Sequence, residues 1–297
     1  MYPLVYRGKV RDIYRVDESR LLMVASDRIS AFDHVFKEVI PSKGKVLTAI
    51  TKFWSDTLAT ILPTHLISTD SSDFALDGSD IEKFDLPGRS MLVKKADMVG
   101  MECIVRGYIA GSAWKEYATN GTMHGIKLPT GLKQGSKLPQ PLLTPSTKNN
   151  SGHDENISPA EAKEMLGESL FAQIEEICIS AYTLAAELAL EKGIVIADTK
   201  FEIGIIEEMP MICDEILTPD SSRFWNLNDY EDGRIGVSFD KQPIRDWAEQ
   251  SGWDKSSPPP SLPESVIEES LVRYIAAYER LSSRSFSEWL QQHSIKS

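Results

Sequence analysis

Cysteine is scarce in this chain, with three residues in 297: Cys103, Cys178 and Cys213. They are odd in number, lie in apolar runs and form no Cys-x-x-Cys or Cys/His pattern, so they read as reduced core thiols rather than a disulfide framework or a zinc site. A cytoplasmic location is the expectation. The five histidines, His34, His65, His124, His153 and His293, are equally scattered and have no metal-ligand spacing. No apolar run approaches the roughly 18 residues of a membrane span. The opening Met1-Tyr2-Pro3-Leu4-Val5-Tyr6 lacks a basic region followed by a long apolar stretch, so neither secretion nor anchoring is indicated. Positive charge is in deficit, 32 Lys and Arg against 44 Asp and Glu. That balance argues against a nucleic-acid or membrane-surface partner and confines any phosphate site to a local pocket. There is no internal repeat.

What the chain does have is paired charge at strand spacing. In Asp198-Thr199-Lys200-Phe201-Glu202-Ile203-Gly204, an extended backbone puts Asp198, Lys200 and Glu202 on one face, and Phe201, Ile203 and Ile205 on the other. Glu207-Glu208-Met209-Pro210 reads as a turn, and the return through Met211, Ile212 and Cys213 brings Asp214 or Glu215 opposite Glu202. Spacing alone leaves that choice open. A surface hairpin with solvated charges has a similar composition, but the apolar run Ile194-Val195-Ile196-Ala197 feeds straight into the acids, as at a strand ending in a cleft. Two carboxylates beside a lysine suit magnesium bound with substrate phosphates.

Around this hairpin the sequence predicts two lobes, 1–97 and 98–297. Leu4 to Arg7, Val10 to Val16 and Leu21 to Ala25 form a strand meander. A helix after Gly44 uses Leu47, Ile50, Trp54 and Leu58 and is marked at its end by Pro63. Strands over 90–95 and 102–109 are joined by a hinge at Ala96-Asp97-Met98-Val99-Gly100. Residues 119–156 read as a long irregular excursion. Ser158 and Glu161 form a capping box opening a long helix that ends at Lys192-Gly193. The segment from 224 to 255 is mixed and aromatic, and a last amphipathic helix uses Ile267, Leu271, Tyr274, Tyr278 and Leu281.

Other segments offer anion chemistry. Arg7-Gly8-Lys9-Val10-Arg11-Asp12 is a glycine turn able to bring backbone amides and cations against phosphates, or an ordinary hairpin. Ser42-Lys43-Gly44-Lys45 lacks the GxxxxGK[ST] spacing of a P-loop but places a basic turn before a helix. In the 101–112 segment, Glu102 and Arg106 share a face and Ser112 can cap a helix beginning at Ala113, a sound phosphate site; an internal Glu/Arg pair is the plainer alternative. Ser26-Asp27-Arg28-Ile29-Ser30-Ala31-Phe32-Asp33 fits a polar substrate or simple turn chemistry.

Taken in order, YRGKVRDIY at 6–14, SDRISAFD at 26–33, MECIVRGYIAGS at 101–112, and the DTKFEIG and CDEILTPDSSRFW segments resemble the SAICAR synthetase family of purine biosynthesis over nearly the whole chain. The resemblance implies an α+β fold of two lobes, distantly kinase-like and ATP-grasp-like, with ATP in the cleft. It implies an ATP- and Mg²⁺-dependent ligase joining L-aspartate to the carboxylate of CAIR, 5-amino-1-(5-phosphoribosyl)imidazole-4-carboxylate, through an acyl phosphate. By motif, Gly8, Lys9, Val10 and Arg11 lie over the ATP phosphates, Lys94 to Met98 form the adenine hinge, and Glu202 and Asp214 hold the metal. Lys200, Glu202 and Asp214 carry the catalytic role. Ser30, Asp33, Glu102, Arg106, Ser112, Asp198, Lys200, Asp220 and Arg223 match substrate positions. The extra sequence around 225–260 resembles the longer, monomeric type, with a homodimer as the alternative. A phosphotransferase of a small phosphorylated metabolite should carry an HRD catalytic loop, which is absent; a nonenzymatic nucleotide-binding module should lack an acid at 202 or 214, and both are present.

Overall fold

The structure, a computed structural model, describes residues 1–32, 34–148, 155–234, 239 and 241–294. The N-terminal part runs β1 (Leu4–Arg7), β2 (Arg11–Arg15), β3 (Arg20–Ala25), β4 (Arg28–Ala31), β5 (His34–Val39), α1 (Lys43–Thr57), β6 (Leu66–Ser68), α2 (Gly78–Lys83) and β7 (Ser90–Lys94). Its antiparallel sheet has the order β1-β2-β3-β7-β6 and includes the expected meander. Within the 26–33 segment, read as a polar substrate site or turn chemistry, Arg28–Ala31 form β4, which pairs with β5.

Helix α1 buries the predicted face: Leu47, Ile50, Trp54 and Leu58 are inaccessible or nearly so. It stops at Thr57, and a tight closure in which the Leu62 amide donates to the Leu58 carbonyl at 2.8 Å fills the distance to Pro63. The basic turn before it holds an anion, but an internal one. The Asp27 carboxylate accepts from the amides of Ser42 (3.2 Å) and Gly44 (2.9 Å). Gly44 permits this approach, since a Cβ there would lie 2.2 Å from the Ala25 carbonyl oxygen.

The C-terminal part runs β8 (Asp97–Tyr108), α3 (Gly111–Asn120), β9 (Thr122–Met123), β10 (Ile126–Lys127), β11 (Lys137–Thr147), α4 (Pro159–Leu166), α5 (Glu168–Glu191), β12 (Ile194–Ile206), β13 (Met209–Cys213), β14 (Ser222–Asn226), α6 (Leu227–Glu231), α7 (Gln242–Gln250), α8 (Glu264–Ser282) and α9 (Phe286–Gln292). Its sheet has the order β11-β8-β12-β13, with β14 also on β12. The apolar side of β8 and β12 (Met101, Cys103, Val105, Phe201, Ile203) packs with Phe171, Ile174, Cys178 and Ala181 of α5 in one buried cluster, at about 1.5–3 kcal/mol per large side chain. The opposite side is left for charge.

Four expectations change here. The 119–156 excursion contains β9, β10 and the eleven-residue edge strand β11. Its prolines at 139, 141 and 145 are tolerated at a sheet edge, where one side of the backbone needs no ladder bond. The connection read as a hinge is shorter than expected, because β8 already begins at Asp97. The long helix is two: the Ser158/Glu161 capping box opens α4, and Gly167, at φ 82°, breaks the axis before α5. The mixed segment after 223 supplies β14, a full sheet partner.

Candidate active site

One face of β12 organises the charged groups. The ladder places Asp198 beside Arg106 and Glu202 beside Glu102 on β8, and Asp198 beside Arg223 on β14. At one end Arg223 Nη1 donates to Asp198 Oδ2 at 2.6 Å, and Arg106 Nη1 reaches the same oxygen at 3.3 Å. Arg106 also donates to Thr144 Oγ1 (3.0 Å) and Ser112 Oγ (3.4 Å). Glu102 and Arg106 therefore do not pair with each other.

Beside the two guanidinium groups α3 begins. Its N-cap is Ala110, with no side-chain cap, so Ser112 lies inside the first turn instead of capping a helix at Ala113. Uncapped first-turn amides and two arginines form a setting for a phosphate. Gly111, at φ 56°, makes the packing possible, because a Cβ would stand 2.7 Å from Arg223 Nη2.

At the other end Lys200 Nζ donates to Glu102 Oε1 at 2.6 Å and lies 3.9 Å from Glu202 Oε1. Burial pulls its pKa down, but the charges of Glu102 and Glu202 win and push it up to about 12. Glu202 also accepts from Lys148 Nζ at 2.7 Å. The β12–β13 register pairs Glu202 with Cys213, so neither Asp214 nor Glu215 stands opposite it; Asp214 comes one residue later. Asp214 is bound by Arg11, whose other fork lies 3.2 Å from Glu215. Although burial opposes it, the charges of Asp214, Glu215 and Asp220 hold the Arg11 guanidinium firmly ionised.

Among the described residues no three His, Cys, Asp or Glu side chains are grouped to hold a metal by protein atoms alone. Glu202 and Asp214 are nevertheless oxygen donors of the kind a hard cation such as magnesium takes together with substrate phosphate and water.

The other expected residues separate into two groups. Gly8, Lys9 and Val10 form a tight turn, the Gly8 amide donating to the Arg11 carbonyl at 2.7 Å. Arg28 clasps it, donating to the carbonyls of Gly8 and Lys9 at 3.1 Å each and to Asp12 at 2.6 Å. Lys94 and Met98 are exposed on either side of the short connection, and Ser30 is half-buried in β4. Asp33 lies outside the described residues. Two residues take supporting rather than ligand-facing positions. Arg11 is buried beneath Asp214, and Asp220 accepts from Lys43 Nζ (2.7 Å) and Tyr274 Oη with Lys241 Nζ at 3.3 Å, its side chain 2% exposed.

Lys148, Lys43 and Lys241 were missed as partners, because nothing in their local sequence signals a contact across the fold. Two cavities, about 340 and 220 Å³, lie elsewhere: one beside Lys45, Asp85 and His293, the other between α5 and Pro139–Pro141.

The chain is similar to known proteins over nearly its whole length. The model of the SAICAR synthetase family matches residues 4–260. The phosphoribosylaminoimidazole-succinocarboxamide synthase of Trichlorobacter lovleyi is 51% identical over 280 residues, covering 94% of each chain. That of Saccharopolyspora erythraea is 43% identical over 294 residues, 97% of this chain and 96% of its own. Among solved structures, SAICAR synthase from Saccharomyces cerevisiae complexed with SAICAR is similar with a TM-score of 0.87, at 44% identity over 96% of each chain. A SAICAR synthetase in complex with ADP is similar with a TM-score of 0.70, at 25% identity over 95% of this chain and 99% of that one.

Proposed function

The chain belongs to the SAICAR synthetase family, and from that premise we propose that the charged face of β12 is its active site. The enzyme condenses CAIR with L-aspartate to give SAICAR, ADP and phosphate, an ATP-dependent ligation in purine biosynthesis. The observation that carries the assignment is the layout of β12 itself: an arginine-lined helix start at one end and the Glu202/Asp214 acids at the other.

In this reading Arg106, Arg223 and the first turn of α3, with Ser112, receive the ribose 5-phosphate of CAIR. That anchors the imidazole carboxylate near Lys200. The Gly8–Val10 turn, with Lys9, covers the ATP phosphates; Lys94 and Met98 border the adenine, between lobes divided near residue 97. Glu202 and Asp214 would hold Mg²⁺, which supplies charge neutralisation on the β- and γ-phosphates when bound. A carboxylate oxygen of CAIR attacks the γ-phosphorus as the bond to the β–γ bridging oxygen breaks and ADP leaves. The aspartate amine then attacks the acyl carbon, phosphate departs, and the nitrogen loses a proton. Lys200, held charged between Glu102 and Glu202, offsets the negative charge that gathers as two anions meet. No covalent enzyme nucleophile is required, because positioning and charge neutralisation supply the catalysis. Ser30 and Asp33 are assigned to the substrate loop, Asp198 and Glu102 to orienting the cations, and the enzyme acts as a monomer in the cytoplasm.

CAIR labelled with ¹⁸O in its carboxylate tests the route. One labelled oxygen should appear in the phosphate released when aspartate is present. Unlabelled phosphate, or full-rate ADP formation without CAIR, would contradict it.

A further inference from the structure

Asp214 occupies a conformation that an L residue adopts at a cost. Its φ is 61°, in the left-handed region, a position disfavoured by about 1 kcal/mol or more for a residue with a side chain. The backbone there is held by a group outside the strand ladder: the Asp214 amide donates to Nε2 of His65 at 2.9 Å. His65 stands in no motif and is buried, 6% exposed.

The segment that carries it joins the two sheets. The Ile212 amide donates to the Pro63 carbonyl (2.9 Å), the His65 amide to the Ile212 carbonyl (3.1 Å), and the Lys94 amide to the His65 carbonyl (2.8 Å). Thr64 bridges Ile212 in parallel. Residues 63–65 thus stitch β13 to β7, the strand that leads into Asp214 to the strand that ends at Lys94. The imidazole adds one bond to that stitch, at the Asp214 amide. Because Nε2 accepts from an amide it carries no proton, so the neutral ring carries its proton at Nδ1.

We infer that His65 is a positioning residue of the ATP site: its ring holds the Asp214 main chain while its own carbonyl holds the Lys94 main chain. It therefore sets the separation between the metal end and the adenine end of the bound nucleotide. The inference rests on the reading of Asp214 as a magnesium-binding acid and adds to it the element that holds that acid in place.

His65→Phe keeps the ring's volume but removes the acceptor, and His65→Gln offers both an acceptor and a donor. In His65→Phe the Asp214 amide should exchange hydrogen at least about tenfold faster, and Mg·ADP should bind about tenfold more weakly, the cost of one unmade buried hydrogen bond. CAIR affinity should change less than about twofold, and His65→Gln should recover most of the loss. A folded His65→Phe with unchanged exchange and Mg·ADP affinity overturns the inference, as does an equal loss for ADP and CAIR. Asp214→Asn, measured alongside, separates the two readings. If it leaves the magnesium dependence of ADP binding intact, the metal assignment fails; if it abolishes that dependence while His65→Phe does nothing, the positioning role alone fails. Should His65→Phe not fold, ¹⁵N NMR of the unaltered enzyme decides. An Nδ1-protonated neutral ring coupled to the Asp214 amide supports the assignment, and an Nε2-protonated or charged ring overturns it.

Discussion

The two ends of the charged face of β12 are built from the same residue types yet carry opposite excess. Near α3, two arginines, Arg106 and Arg223, share one carboxylate, Asp198. Toward β13, four carboxylates (Glu102, Glu202, Asp214 and Glu215) face three cations (Lys200, Lys148 and Arg11). The first end attracts an anion and adds uncapped helix amides; the second attracts a cation. One strand with period-two side chains can thus hold a phosphorylated substrate and a metal-bound nucleotide about four residues apart, or roughly 13 Å at 3.3 Å per residue. In the proposed reading the chemistry happens between them, where Lys200 sits.

The largest effect should come from the cation-attracting end. Asp214→Asn and Glu202→Gln should each lower turnover by about 10³-fold or more while the protein stays folded, because each removes a carboxylate proposed to hold magnesium against the phosphates. Near-normal turnover in a folded Asp214→Asn would erase the distinction between the ends.

Beneath that end, Asp220 is expected to matter for stability. Burial opposes its charge, but Lys241 and Lys43, with hydrogen bonds from Lys43 and Tyr274, hold its carboxyl well below the usual range. Two lysines share this one acid, so burial still pulls Lys43 below its ordinary value. A folded value below the unfolded one, about 3.9, means the contribution is complete above about pH 4 and is lost as pH falls through the folded value. Asp220→Asn should cost about 3–5 kcal/mol at neutral pH by stranding buried lysines, and should flatten the acid limb of the stability curve. Urea midpoints at pH 7 and pH 3 measure both; a variant as acid-sensitive as the parent would show that another group controls that limb.

The smallest change is Gly111→Ala. The added Cβ must displace the Arg223 guanidinium, and φ 56° adds strain, so CAIR affinity should fall about tenfold with ATP affinity unchanged. Calorimetry with CAIR checks it, and unchanged affinity would remove Arg223 from the phosphate site.

Much of this contrast was legible in the sequence. Period two exposed the Asp198/Lys200/Glu202 face, the Ser158/Glu161 box marked a real helix start, and the spacing of Ile267, Leu271, Tyr274, Tyr278 and Leu281 found α8. Register was less legible: a slip of one residue separates Asp214 from Cys213 as the partner of Glu202, and nothing in a two-residue turn specifies it from outside. Prolines disguised β11, since edge strands accept what central strands refuse. Long-range partners were beyond reach. Lys43 meets Asp220 across 177 positions and His65 meets Asp214 across 149, and local sequence carries no trace of either pairing. Asp220 lies in a substrate-like motif, and only its burial shows that its carboxylate faces inward.

The most direct test of the division along β12 is a crossed calorimetric measurement, titrating CAIR and Mg·ADP separately into Arg223→Ala and Asp214→Asn. Arg223→Ala should lose about 30- to 100-fold in CAIR affinity, the worth of a charged bidentate contact, and keep its Mg·ADP affinity. Asp214→Asn should do the reverse, losing Mg·ADP while CAIR binds as before. If each variant weakens both ligands equally, β12 carries one undivided site and its two ends have no separate ligands.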